Sequence, residues 1–417
     1  MYKLKVKGNK ELEGVVKISG SKNSSVALIP AAILSSGEVE IESIPNITDI
    51  SNLKEILKLL NIDFKCYDDN IKINSKTLEN KYIPSSITST LRASYYFMGA
   101  LLGKLGYVEI SFPGGCVIGE RPIDLHLKGF KALGAKVIET EEKIIISAKK
   151  LKGNDIFLDF ASVGATINII LASVLAEGIT TIENPAKEPE IHDLCNFLNK
   201  MGAKISGVGS DKIVIEGVDS LHDVKHSVIP DRIEAGTYMC LAAVAGKNIK
   251  IENVNVSHLH AVVEKLKEMN VDITCTLNSV IIKKGNKLNK TFIKTSPYPG
   301  FPTDLQQVFA TILTQVDGKS VIQETIFEDR FKNLNELKKM GADIFTEKNL
   351  AYITGPTNLK GTEVTATDLR AGASILIAAL LADGETTINS ADYILRGYGN
   401  IEEKLTNLGA KIELIEI

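Results

Sequence analysis

Long apolar runs are missing from this sequence. Stretches such as Ile375 to Ala382 end far short of the roughly 18 residues that a bilayer crossing needs, so no transmembrane segment is expected. Charge of one sign is also missing: 48 basic residues face 51 acidic ones, a formal net charge of −3, which gives no reason to expect a nucleic-acid or membrane partner. The start, Met1-Tyr2-Lys3-Leu4-Lys5-Val6-Lys7, alternates like a strand and lacks the apolar core of a secretory signal, so a cytoplasmic location is expected. Cysteine pairs are absent too. Cys66, Cys116, Cys195, Cys240 and Cys275 are odd in number and scattered, with no Cys-x-x-Cys, which argues against a disulfide framework or a zinc site. All but Cys116 lie in apolar strand or helix patterns, where a cysteine is usually a small buried hydrophobe. Arginine is the last scarcity: only Arg92, Arg121, Arg232, Arg330, Arg370 and Arg396 stand among the basic residues.

What is present is a repeat. Gly37, Gly106, Gly178, Gly246, Gly318 and Gly384 each close a short apolar helix pattern, and successive separations are 69, 72, 68, 72 and 66 residues. Leu60-Asn61-Ile62, Leu133-Gly134-Ala135, Met201-Gly202-Ala203, Met269-Asn270-Val271, Met340-Gly341-Ala342 and Leu408-Gly409-Ala410 keep the same beat, each followed by an alternating run. A glycine at a helix end fits because it accepts the left-handed conformation that satisfies the last carbonyls.

Periodicity orders each copy as strand, helix, strand, second helix and two strands. In the third copy it predicts a helix over Ser162 to Ala176, a strand over Thr180 to Glu183, a second helix over Ile191 to Met201, and a hairpin of Lys204 to Ser206 with Lys212 to Glu216. No unit of this kind buries both helix faces alone, so three units per lobe are expected. The expected class is α/β (α+β), with two lobes, Lys22 to Ile229 and Met1 to Ser21 plus Pro230 to Ile417. Met1 to Lys17 is strand material with no preceding partner, and the last copy stops after its first closing strand, so the ends are expected in one lobe, with a cleft between the lobes.

Counting 14 residues back from each repeat glycine reaches Asn23, Arg92, Gly164, Arg232, Asp304 and Arg370, the start of the first helix in every copy. In a chain that otherwise uses lysine, an arginine there suits bidentate donation to a carboxylate or phosphate. Arg121, Arg330 and Arg396 lie in the segment entering the second helix; capping or salt bridges between repeats are the alternative, above all for Arg232 and Arg330. Helix starts collect unpaired amides and positive dipole ends, and with Lys22 they predict a multiply charged anion as ligand. Asp231, Glu234, Asp304 and Asp368 lie at the same starts, each a cap or a base facing substrate.

Pro113 to Pro122 holds three glycines and places the Cys116 thiol five residues from Arg121. A pliable loop with a thiol near positive charge suits a cysteine that titrates or reacts, and it suits a lid; a tight turn around a buried cysteine reads equally well from the pattern. His258 and His260 open a helix pattern without carboxylate partners at ligand spacing, and His222 and His226 flank a loop, so surface or capping histidines are expected and no metal. Gly207-Val208-Gly209 lacks the third glycine and the setting of a dinucleotide site.

Across the whole chain, Gly20-Ser21-Lys22-Asn23, Leu91-Arg92-Ala93-Ser94, Pro113 to Leu125, Ser162 to Thr166, Pro230 to Glu234, Phe301-Pro302-Thr303-Asp304 and Arg396-Gly397-Tyr398 resemble the signature segments of the UDP-N-acetylglucosamine 1-carboxyvinyltransferases. The resemblance implies an inside-out α/β barrel of two lobes with three repeats each, acting on phosphoenolpyruvate and UDP-N-acetylglucosamine at the start of peptidoglycan synthesis. It implies addition and elimination through a tetrahedral intermediate, without metal or organic cofactor and without an obligate protein partner. Cys116 matches the general acid and Asp304 the base at the sugar hydroxyl. Lys22, Arg121 and Arg396 match phosphate and carboxylate anchors, with Asn23 and Arg92 beside them. Arg92, Arg121, Pro122, Ile123, Asp124, Leu125, Ser162, Val163, Gly164, Asp304 and Ile326 match nucleotide-sugar contacts.

There are departures. Phe160 stands where some members carry lysine, and Tyr393-Ile394-Leu395 replaces a more usual His-hydrophobe-Asp. The alternatives are the shikimate-using enolpyruvyl transferase, which lacks the Cys116 loop, and a noncatalytic nucleotide-sugar sensor, which would be expected to have lost some of Lys22, Cys116, Asp304 and Arg396.

Overall fold

Residues 1–112, 114, 122–285 and 287–417 are described by a computed structural model. The repeat is plainest in the third copy. Strand Asp155–Phe157 leads to helix Val163–Ser173, strand Ile179–Glu183, helix Pro189–Lys200 and the hairpin Lys204–Ser206 with Lys212–Glu216. Asp155–Phe157 lies parallel to Ile179–Glu183, which is antiparallel to Lys212–Glu216, which pairs in turn with Lys204–Ser206. The fifth copy repeats this order with Phe292–Lys294, Gly318–Gln323, Leu350–Gly355 and Asp343–Glu347. Both helices of the third copy begin and end one to three residues from where periodicity puts them; at their ends 3₁₀ bonds take over, from the Ala176 amide to the Ser173 carbonyl and from the Met201 amide to the Leu198 carbonyl.

Three copies complete their sheets from elsewhere. Leu12–Lys17 precedes the first helix of copy one, yet it pairs in parallel with Gly246–Glu252 of copy four. Reciprocally, Val224–Ser227 precedes the first helix of copy four and pairs in parallel with Glu38–Glu42 of copy one. In the sixth copy, Tyr2–Lys7 lies antiparallel between Glu385–Asn389 and Lys411–Glu416, standing in for the second closing strand. The chain thus divides into two compact units, Met1–Ser19 with Pro230–Ile417, and Gly20 to Ile229 apart from residues not described.

Each unit has its own apolar core. One gathers side chains from Val26 to Val228 and the other from Leu4 to Ile18 and Ile233 to Ala410. At the centre stand the first helices, mostly apolar and buried almost all round: Leu369–Leu381 has every residue but the last buried, and Val163–Ser173 every residue but the first. A helix with no polar face must be enclosed on all sides. The sheets supply the enclosure and alternate buried with outward residues, as in the pattern of Lys212–Glu216.

Two of these helices touch backbone to backbone. A Cβ on Gly99 would stand 2.4 Å from the Asn168 carbonyl oxygen, and one on Gly103 would stand 2.7 Å from that of Leu171. The Gly99 amide also donates to Asn168 Oδ1 at 2.8 Å. Gly99→Ala is therefore expected to cost about 1–3 kcal/mol through overpacking, read as a lowered urea midpoint without loss of secondary structure.

Four of the six repeat glycines, Gly106, Gly178, Gly318 and Gly384, are left-handed. Gly246 is not: at φ −83° and ψ 137° it passes straight into its strand. Gly37 is also outside the left-handed region; its missing side chain makes room for the Asp223 carboxylate. Cys195 and Cys240 are buried, but Cys66 and Cys275 are exposed, each near the end of a strand that forms the edge of its sheet. Burial pushes the Cys195 thiol up to about 12. His226 is neither a surface nor a capping residue. It sits within strand Val224–Ser227, buried, with Nε2 2.8 Å from Asp193 Oδ1 and Nδ1 3.2 Å from Lys200 Nζ. No helix among the described residues is long and apolar enough to cross a membrane.

Candidate active site

In the unit Gly20 to Ile229, Ser21 caps the helix Lys22–Ala32 by accepting from the Ser24 amide at 3.2 Å. This puts Lys22 and Asn23 in the first turn. Lys22 Nζ lies 3.0 Å from Asp49 Oδ2, and Asn23 donates to Glu190 Oε1 at 3.2 Å. Asp49 and Glu190 are both buried, so the second helices of copies one and three hold the two side chains at this helix start.

Arg92 opens the 3₁₀ turn Arg92–Tyr95 ahead of helix Tyr96–Leu105, its guanidinium 5.5 Å from the Tyr95 ring centroid. Tyr95 meets His126 edge to face, and His126 Nδ1 lies 2.8 Å from Asn168 Nδ2. Asn168 can only donate through that nitrogen, so Nδ1 accepts and the imidazole proton sits on Nε2. Gly164 fits against this group because a Cβ would meet the Tyr95 hydroxyl at 2.8 Å and His126 Cε1 at 2.9 Å. Ser162 caps helix Val163–Ser173 through the Ala165 amide, which puts Val163 and Gly164 in its first turn. Pro122, Ile123, Asp124 and Leu125 lead into helix Asp124–Ala132, which carries His126. Cys116 and Arg121 lie outside the described residues. Phe160, two residues before Ser162, is 48% exposed.

In the other unit the four acidic helix-start residues separate by role. Asp231 accepts from the Ile233 and Glu234 amides, and Asp368 from those of Arg370 and Ala371, so both are caps. Glu234 is buried and takes the Ser19 amide at 2.8 Å and Lys404 Nζ at 2.5 Å. Burial pushes its carboxyl up despite Lys404. Asp304 is no cap. It stands second in helix Thr303–Leu313, with Arg330 Nη2 2.7 Å from Oδ1 and Arg370 Nη2 3.0 Å from Oδ2. Burial alone would push this carboxyl up, but the Arg370 and Arg330 guanidiniums outweigh it and hold the group well below the usual carboxylate range.

Arg370 also donates to the Tyr398 hydroxyl at 3.3 Å, and Tyr398 lies 2.9 Å from Thr237 Oγ1. Thr237 donates to the Ile233 carbonyl, so the Tyr398 proton points at Thr237 and its oxygen is left to accept from Arg370. This chain brings the starts of helices Arg232–Ala245, Thr303–Leu313 and Leu369–Leu381 together. Arg232 lies over the Tyr298 ring, 5.7 Å from its centroid. Arg396, half-buried, closes the short helix Asp392–Leu395 two residues before Tyr398.

Sequence reading did not single out Glu324, which is 2% exposed. Its Oε1 accepts from the Thr295 hydroxyl and from the Ile326 and Phe327 amides, and its Oε2 accepts from the Thr303 hydroxyl. One carboxylate thus pins the Ile326 segment to the residue before Asp304. Tyr95, His126 and Asn168 were likewise missed. For Asn168 the signal was a polar residue inside an otherwise apolar helix, which periodicity scores as a blemish; Tyr95, in a 3₁₀ turn, and His126, in a charged helix, carried none.

A model of the EPSP synthase (3-phosphoshikimate 1-carboxyvinyltransferase) family matches residues 6–405. Relatives include UDP-N-acetylglucosamine 1-carboxyvinyltransferase 2 of Listeria monocytogenes serotype 4b, 50% identical with 98% of this chain and 97% of that one covered. UDP-N-acetylglucosamine 1-carboxyvinyltransferase of Streptococcus pneumoniae is 48% identical, with both chains covered in full. Among solved structures, the enolpyruvyl transferase NikO from Streptomyces tendae superposes with a TM-score of 0.91 at 26% identity, covering 99% of this chain and 98% of that one. EPSP synthase from Acinetobacter baumannii, at 20% identity and a TM-score of 0.78 over both whole chains, shares the fold. A six-times-repeated helix start carrying Lys22, Arg92, Asp304 and Arg370, on a chain half identical end to end to named relatives, makes this protein an enolpyruvyl transferase that belongs to the UDP-N-acetylglucosamine 1-carboxyvinyltransferases.

Proposed function

We infer that the protein transfers the enolpyruvyl group of phosphoenolpyruvate to the 3-hydroxyl of UDP-N-acetylglucosamine and releases phosphate, the committing step of peptidoglycan synthesis, in the cytoplasm. The observation that carries this is end-to-end identity of 48–50% with carboxyvinyltransferases of that substrate. The clamp on Asp304 supports it, since it holds an ionised carboxylate at a cationic helix start.

The hydroxyl oxygen attacks C2 of phosphoenolpyruvate while C3 takes a proton, giving a tetrahedral ketal phosphate. Loss of phosphate with a C3 proton then regenerates the double bond. Cys116 is assigned as the acid that protonates C3, and Asp304 as the base that takes the hydroxyl proton. Lys22, Arg121 and Arg396 are assigned to the phosphate and carboxylate, with Asn23 and Arg92 beside them. Cations held ready in this way orient the substrate and stabilise charge as it develops. Pro122 to Leu125, Ser162 to Gly164 and Ile326 are assigned to the nucleotide sugar. The chemistry asks for no metal, organic cofactor or second protein.

A second reading is favoured by the family model itself, which bears the name of the shikimate enzyme. Phosphate release from phosphoenolpyruvate, measured with UDP-N-acetylglucosamine or shikimate 3-phosphate as acceptor and repeated after exposure to fosfomycin, separates the two. Release with the sugar nucleotide alone, abolished by the epoxide, is expected. Release with shikimate 3-phosphate overturns the assignment, and tight sugar-nucleotide binding without release with either acceptor makes the protein a sensor.

A further inference from the structure

The two guanidiniums on Asp304 are themselves held very differently. Arg370 lies in the first turn of helix Leu369–Leu381, behind the Asp368 cap, and its other terminal nitrogen donates to Tyr398, which Thr237 fixes in turn. Arg330 lies in irregular backbone between strand Gly318–Gln323 and helix Lys332–Lys339. Its side chain is 3% exposed, and its Nε is buried without a hydrogen-bond partner among the described residues. A buried N–H of a cation without an acceptor is a costly arrangement, and an anionic ligand oxygen is the strongest acceptor it can be offered. Arg370 has every reason to stay on Asp304; Arg330 has an unmet demand.

We propose that Arg330 is the releasable half of the clamp: a phosphate or carboxylate oxygen of bound substrate draws its guanidinium off Asp304, and the carboxylate, left with Arg370, becomes basic enough to take the hydroxyl proton. Arg330 is then a positioning residue that acts through Asp304. With both guanidiniums in place the carboxylate is a stored ion with little affinity for a proton, and a general base works best when its affinity approaches that of the medium. Releasing one guanidinium only when substrate arrives ties basicity to occupancy. The charged groups facing Asp304 are Arg370, Arg330 and Arg232, and behind Arg370 stand Tyr398 and Asp231. Arg330 is the one of the three without a helical seat.

This rests on Asp304 being the base, and the test keeps the two apart. The Asp304 carboxyl is titrated by carbon-13 NMR in enzyme labelled at aspartate, with Asp304→Asn supplying the assignment. The titration is run without ligand, with UDP-N-acetylglucosamine, and with phosphoenolpyruvate, in wild type, Arg330→Gln and Arg330→Lys. In unliganded wild type the carboxyl is expected to stay ionised well below about pH 4, the ordinary aspartate value. At least one of the two substrates should raise its midpoint by one pH unit or more. Arg330→Gln should show the raised midpoint without ligand and respond little to substrate; Arg330→Lys should fall between. A wild-type midpoint unmoved by both substrates, or an Arg330→Gln midpoint equal to that of wild type, overturns the proposal. Should Arg330→Gln not fold, the lysine variant and the wild-type ligand shift decide. Near-normal turnover by Asp304→Asn would instead remove the base assignment, whatever the titration shows.

Discussion

Asp304→Asn is expected to lower turnover by about 10²–10⁴, the usual contribution of a positioned acid or base, while UDP-N-acetylglucosamine affinity changes far less. The same substitution is expected to destabilise its unit by about 3–5 kcal/mol. It removes the carboxylate from between two guanidiniums that are 3% and 5% exposed, leaving buried positive charges facing a neutral amide. A mere capping aspartate would give up about 1 kcal/mol and no turnover. The two effects can be separated by pH. A carboxyl whose affinity for protons is depressed by folding stabilises the native state at every pH above its unfolded value of about 3.9, and that contribution is lost only as pH falls through the lower folded value. The difference in urea midpoint between wild type and Asp304→Asn should therefore be constant from pH 5 to 8, by the same linkage, and shrink only in strong acid. A gap that closes near neutrality, or sugar-nucleotide binding lost in proportion to turnover, would count against the clamp and the base together.

Cys116→Ser is expected to leave the fold intact and to lower turnover by about 10²–10³. A thiol ionises near pH 8.5 and can deliver a proton to carbon at neutral pH, whereas a serine hydroxyl is weaker by several pH units. The elements on either side, strand Tyr107–Ser111 and helix Asp124–Ala132, are anchored by their own buried residues, Val108, Ile110, Leu127 and Phe130. Thermal midpoint and phosphate release measured on the same preparation give the check, and undiminished release would refute the acid assignment. Cys116→Asp is the sharper control, since a carboxyl in that position can still donate a proton if its surroundings raise its affinity for one.

The sixfold pattern was legible because it is written in local terms. A glycine at the end of an apolar helix, and an alternating run after Leu-Gly-Ala or Met-Gly-Ala, reflect conformational needs within a few residues. Even so, Gly246 kept the spacing while running extended, since spacing is inherited with the repeat whereas φ answers to the strand that begins at that glycine. Unpartnered strand material at the two ends was the reason to expect Met1 to Ser21 with Pro230 to Ile417, but the particular partners of Leu12–Lys17 and Val224–Ser227 left no trace of this kind. A parallel edge strand is chosen by a partner far away in the chain, and both segments alternate equally well. In the site, the six helix starts could be picked out by counting, but capping and chemistry could not be told apart there. Asp231, Asp368 and Asp304 are the same residue type at nearly the same offset. What distinguishes Asp304 is Arg330 and Arg370, brought in from elsewhere in the chain. Glu324 and His126 were hidden for a related reason: their worth lies in which loop or ring they fasten, a matter of tertiary contact.

The strand exchange also sets an order of assembly on the ribosome. Synthesis is vectorial, and domains generally fold as they emerge. Strands Tyr2–Lys7 and Leu12–Lys17 are made ahead of the rest, yet they find their partners only in Gly246–Glu252, Glu385–Asn389 and Lys411–Glu416. The unit Gly20 to Ile229 can close as soon as Val224–Ser227 has been threaded back onto Glu38–Glu42, while Pro230–Ile417 is still unmade. Leu12–Lys17 can dock once Gly246–Glu252 has emerged, but Tyr2–Lys7 must wait unpaired until Glu385–Asn389 leaves the exit tunnel and gains its second partner only with Lys411–Glu416, so an early-made stretch of the nascent chain is among the last to be built in.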